Sequence, residues 1–116
     1  MATVTTYNVN HNFSIASDSI ILNPGLSGCN SFSITFAYTA NNNVTIEYYW
    51  SNDSSASSVL VPLTDANGTQ ITTELLAANT TAGIQITNFF GERLFIKVVK
   101  KSATTGSISS VIIKTY

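Results

Sequence analysis

Charge is scarce in this chain. Asp, Glu, Lys and Arg together make up 9% of its 116 residues, where a typical soluble protein carries about 25%. All five basic residues, Arg93, Lys97, Lys100, Lys101 and Lys114, fall in the last quarter, and the net charge is −1. A nucleic-acid surface has to neutralise several phosphates, so no nucleic-acid partner is expected and the cations read as solvated strand rims. Cys29 is the only cysteine, which excludes an internal disulfide. His11 is the only histidine. A Cys/His zinc site therefore lacks ligands, and Cys29 has no base near it in sequence to make it a nucleophile. No apolar run approaches the ~18 residues of a membrane helix. Residues 1–9 have neither the basic start nor the apolar core of a signal peptide. A soluble protein made in a cytoplasm, with no membrane partner, is the expectation.

What fills the gap is Ser, Thr and Asn, more than a third of the chain. Hydrophobic residues still make up 44% and aromatics 10%, so the low-hydrophobicity, high-charge signature of disorder is absent. A chain of this length buries roughly 65% of its unfolded surface, enough for one core without staples. Residues 1–116 read as a single domain.

Period-two alternation dominates, as expected of half-buried strands. Residues 5–16 place Tyr7, Val9, His11, Phe13 and Ile15 on one face and Asn8, Asn10 and Asn12 on the other, as one long strand or two meeting at a bend. Residues 31–40 alternate Phe32, Ile34, Phe36 and Tyr38 against small polar residues. After Asn41-Asn42-Asn43, residues 44–50 set Val44, Ile46, Tyr48 and Trp50 against Thr45, Glu47 and Tyr49. Because Asn tolerates positive φ, a hairpin through the three asparagines is expected. Pro62 marks residues 59–63 as an edge strand or strand end. Asp65-Ala66-Asn67-Gly68 is a turn, followed by strands near residues 69–76 and around Ile84 and Ile86. The last two strands, residues 93–101 and 107–115, are expected to form a C-terminal hairpin across Ser102-Ala103-Thr104-Thr105-Gly106. Eight or nine short strands with frequent turns predict an all-β, antiparallel β-sandwich or jelly-roll-like fold. Its expected core contains Phe32, Ile34, Phe36, Ile46, Tyr48, Trp50, Leu94, Ile96 and Val98.

Chemistry is hard to place on this pattern. The six carboxylates, Asp18, Glu47, Asp53, Asp65, Glu74 and Glu92, show no acid–base spacing. No G-x-S-x-G elbow occurs, and His11 reads as a core or rim residue. Asp65 to Thr69 resembles the first half of a calcium loop, but neither the closing glutamate nor flanking helices follow; a turn built on Asn67-Gly68 fits better. No catalytic residue, cofactor or metal ligand is expected. Tyr48, Tyr49 and Trp50 beside a polar loop leave a glycan partner open, although alternation puts Tyr48 and Trp50 in the core.

Residues 44–62, which read VTIEYYWSNDSS and then VLVP after Ala56-Ser57-Ser58, resemble a recurrent pattern in small β-sandwich proteins of tailed-phage virions. Residues 90–98, FGERLFIKV, with a turn and a last strand after them, are similar to the same group. The resemblance implies a non-enzymatic virion subunit, a capsid decoration or head-fibre protein, whose partners are other capsid, neck or fibre subunits; the alternative is a carbohydrate-binding module or adhesin domain. An assembly surface is expected at the C-terminal pair of strands. If Leu94, Ile96 and Val98 face inward, Phe95 and Val99 face outward, and Val111 and Ile113 lie opposite Ile108 and Ile112. Apolar residues on both faces suggest that the outer one is covered in a homo-oligomer or lattice, so Phe95, Val99, Val111 and Ile113 are the interface candidates.

Overall fold

The computed structural model describes residues 2–26, 28–53 and 60–116. Its strands are β1 (Thr3–Asn12), β2 (Ser19–Leu22), β3 (Ser31–Ala40), β4 (Val44–Ser51), β5 (Val61–Pro62), β6 (Thr72–Leu75), β7 (Thr81–Thr87), β8 (Arg93–Val99) and β9 (Gly106–Thr115). Residues 54–58 of the polar loop expected over residues 51–58, and the strand start at Val59, lie outside the described residues. One sheet has the order β1-β9-β3-β7; the other runs β2-β8-β4, with β5 and β6 both on the far side of β4. All pairings are antiparallel. Except between β4, β5 and β6, each step along the chain crosses to the opposite sheet. This interleaving makes the two-sheet antiparallel sandwich that the alternation predicts.

The rows across the first sheet explain the core. Tyr7, Val111, Phe36 and Ala82 lie side by side, as do Thr5, Ile113, Ile34 and Ile84. These inward rows meet Ile46, Tyr48, Leu94, Ile96 and Val98 from the second sheet, and every expected core residue is buried except Trp50, which is half-buried against the cluster. Tyr48 is completely buried, and its hydroxyl lies 2.8 Å from that of Thr73. Burial holds this phenol well above its usual range. Because the hydroxyl pair is enclosed, Tyr48→Phe strands Thr73 and is expected to cost about 1 kcal/mol. Urea unfolding checks this: a variant as stable as wild type would mean that the hydroxyl pair contributes nothing.

Two expected hairpins are not hairpins. β3 and β4 belong to different sheets, and β8 and β9 likewise. The three asparagines turn the chain between sheets without positive φ, since Asn88 and Lys101 are the only non-glycine residues described there. Their side chains do the work. Asn41 Oδ1 accepts from the Thr104 and Thr105 amides (2.9 and 3.1 Å), Asn42 donates to Ser102 O, and Asn43 Oδ1 accepts from the Ala77 amide. The corner between β3 and β4 is thereby tied to the corner between β8 and β9.

A β-bulge corrects the reading of the C-terminal strand. Ala37 pairs with Ser110 but Tyr38 pairs with Ile108, so Ser109 is an extra residue in β9. An extra residue reverses the alternation beyond it. Ile108, Val111 and Ile113 therefore all face inward and are buried, while Ile112 lies on the outside. Val111 and Ile113 are internal packing, while Ile112 stays exposed on the outer face.

Candidate functional site

A cleft of about 770 Å³ is lined by Trp50 of β4, Leu63 and Ile71 from the excursion between β5 and β6, and Ile86 through Gly91. The chain segment after β7 shapes it. Asn88 adopts φ 59°, a region open to Asn. Phe89 then turns inward, 3% exposed, its ring edge-on to Phe32 at 5.3 Å. Phe90 points out and is 84% exposed. The loop is anchored on both sides of Phe90: the Phe89 amide donates to Asn30 O (2.9 Å) and the Glu92 amide to Ser51 O (3.1 Å). Gly91 leaves little room for a side chain, since an added Cβ would lie 2.8 Å from Phe89 Cζ and 3.1 Å from Trp50 Cε3. Phe90 is thus displayed from a fixed backbone beside an apolar hollow. Asn52, Asp65, Gln85 and Asn88 bring polar side chains to its rim. Sequence alternation did not find this site, because Phe90 lies in no strand and the lining residues come from segments far apart in sequence.

Asp65 organises the turn that follows it. Its Oδ1 accepts from the Asn67 and Thr69 amides (2.9 and 3.0 Å), and the Asp65 amide donates to Thr69 O. Gly68 at φ +80° completes the expected turn. Among the described residues, no three His, Cys, Asp or Glu side chains gather where a metal ion would sit. Cys29 is half-buried, and burial raises its thiol pKa despite a backbone hydrogen bond at Ser31, so the thiolate that a nucleophile needs is disfavoured.

His11 lines a shallow groove between β1 and β2. It is 6% exposed, edge-on to Phe13 at 5.6 Å, and its Nε2 has no hydrogen-bond partner. Burial first, and then the nearby Lys100 ammonium, lower its pKa below the ordinary 6.5, against an opposing pull from Asp18. The folded state binds this proton less readily than the unfolded state. The stability contributed by neutral His11 is therefore complete above pH 6.5 and is lost as pH falls below it. Melting at pH 5 is expected below that at pH 7.5, and His11→Gln should flatten the difference. An equal drop in both proteins would assign the effect to other groups.

The four sequence-derived interface candidates do not form one exposed patch. Val111 and Ile113 are in the core, and neither is available to a partner in the folded chain. Phe95 does point to the outer face of the second sheet, in a row with Tyr49 and Pro62. It is only 2% exposed, so its cover comes from this chain. Val99 is half-buried beside Thr45. Among the described residues the most exposed large apolar side chains are instead Phe90, Ile15, Val4, Tyr116 and Leu76, with Ile20, Val61 and Ile112 less so.

No family model matches the chain, and no curated protein matches it. Solved structures do. The SPBc2 prophage-derived protein YomS superposes with a TM-score of 0.61 at 13% identity, covering 100% of this chain and 96% of that one. A protein of the Bacillus endospore appendages, described as a novel family of disulfide-linked pili, superposes at 0.56 and 13% identity over 98% of this chain and 87% of that one. At such identities the likeness is one of fold.

Proposed function

We propose that this chain is a non-enzymatic structural subunit of a phage virion, a capsid decoration or head-fibre protein that acts through protein–protein contacts. The observation that carries this reading is the end-to-end fold likeness to a prophage-derived protein. The pilus likeness adds that a sandwich of this shape serves in a built assembly. The surface chemistry supports the same reading: charge is low, and charged residues are depleted from interface cores. Density-gradient purification of particles from the phage that encodes the chain, probed with a specific antibody, tests it. The chain should band with the particles and label their heads. Recovery only in the soluble lysate would refute the proposal.

The cleft favours one further reading, a carbohydrate-binding module. Phe90 and Trp50 offer rings for stacking, and the side chains of Asn52, Gln85 and Asn88 offer hydrogen bonds at the rim. A glycan array decides it: binding that Phe90→Ala abolishes supports a glycan, and a blank array removes it.

A further inference from the structure

The first sheet ends in two strands whose free edges carry little of the usual protection. Among the described residues β1 pairs only with β9, and β7 only with β3. Each therefore carries a row of backbone N–H and C=O groups on its far side. Monomeric proteins blunt such edges with charges, proline, β-bulges or very short strands; β1 has a register shift only between Asn8 and His11, and Thr3 to Asn8 run without one. Neither strand contains an Asp, Glu, Lys, Arg or Pro, and β1 is ten residues long. Residues Thr3 to Thr6 are all exposed, Val4 at 61%.

We infer that copies of this chain join head to tail through these edges, β1 of one copy pairing with β7 of the next. The inference rests on the structural-subunit reading above and names its self-contact. Strand polarity selects the geometry. The sheet has four strands, each antiparallel to its neighbour, so β1 and β7 run in opposite directions. A second copy in the same orientation then sets its β1 antiparallel to the first copy's β7, and the alternation continues unbroken. Composition selects the partner. Val4, Thr6 and Asn8 lie on the same rows of the outer face as Gln85, Gly83 and Thr81. Small polar and aliphatic residues would meet across the junction with no charge opposed to a like charge. A self-pairing of β1 with β1 satisfies one edge and leaves β7 bare; head-to-tail pairing covers both and propagates.

Sedimentation velocity of the full chain, from micromolar to millimolar, is the test. The weight-average coefficient should keep rising with concentration. A second chain carries Thr6→Lys, Asn8→Lys, Thr81→Lys and Gln85→Lys, all at exposed positions, with Gly83 kept because a Cβ there would lie 2.8 Å from Ile34 O. Its association should weaken roughly tenfold at low salt, with an unchanged circular dichroism spectrum. A third chain keeps both β1 lysines but has Thr81→Glu and Gln85→Glu, and should return to wild-type association. A wild-type chain that stays monomeric, one that stops at a dimer, or a lysine variant that assembles normally would each overturn the inference. A monomeric chain that still bands with virions would leave the proposed function standing without this contact.

Discussion

Phe36→Ala is expected to destabilise the domain by about 3–5 kcal/mol, the range for truncating a fully buried phenylalanine. Phe36 is 1% exposed and sits mid-strand, between Val111 of β9 and Ala82 of β7. Removing its ring deletes buried apolar area and leaves a void, because neighbours on three paired strands cannot close in without breaking ladder hydrogen bonds. Domains of this size are stable by about 5–15 kcal/mol, so the loss is a large share of the total. Each kcal/mol corresponds to roughly 4–8 °C for a small domain, which puts the fall in Tm above about 10 °C. Urea unfolding with an unchanged m-value would confirm a native-state effect. A cost below about 1.5 kcal/mol would show that the site collapses freely and that the core is looser than its burial implies.

Phe36 also marks how far the sequence carries. Its alternation with Phe32, Ile34 and Tyr38 identifies β3 and its inward face, since period two reports burial on one side. The same pattern says nothing of which strand lies alongside. Asn41-Asn42-Asn43 therefore looks like a hairpin turn, when its amides in fact tie together two corners that cross between sheets. The extra residue Ser109 defeats alternation outright: a strict period of two puts Val111 on the face opposite Ile108, and the bulge returns it to the core. Phe95 shows a different limit. Its outward direction was legible from the strand, but period two does not report that the chain itself buries it. The cleft beside Phe90 was not legible at all. It is built from three separate segments whose meeting depends on the topology.

Gly106→Ala should be at least as damaging, for reasons of conformation and space together. Gly106 opens β9 with φ +109°, a region that side chains with a Cβ essentially do not enter. An added Cβ would lie 2.0 Å from Thr39 O and 2.6 Å from Thr39 C. Both are backbone atoms of β3, so no side-chain rotation relieves the clash. Nor is the strand free to retreat. Gly106 O accepts the Phe13 amide at 2.9 Å, and Asn41, two residues after Thr39, is held by the Thr104 and Thr105 amides. Relief requires parting β3 from β9 where two corners are tied, so a loss above about 3 kcal/mol is expected, beyond the 1–3 kcal/mol of a strained backbone alone. Gly68→Ala supplies the control. Gly68 also has positive φ, +80°, but nothing lies within 4 Å of a Cβ there. It should lose only about 1 kcal/mol, through conformation alone. The difference between the two variants, measured by chemical denaturation, isolates the close approach of β9 to β3. Equal losses would mean that the approach is slack and that φ accounts for the whole effect.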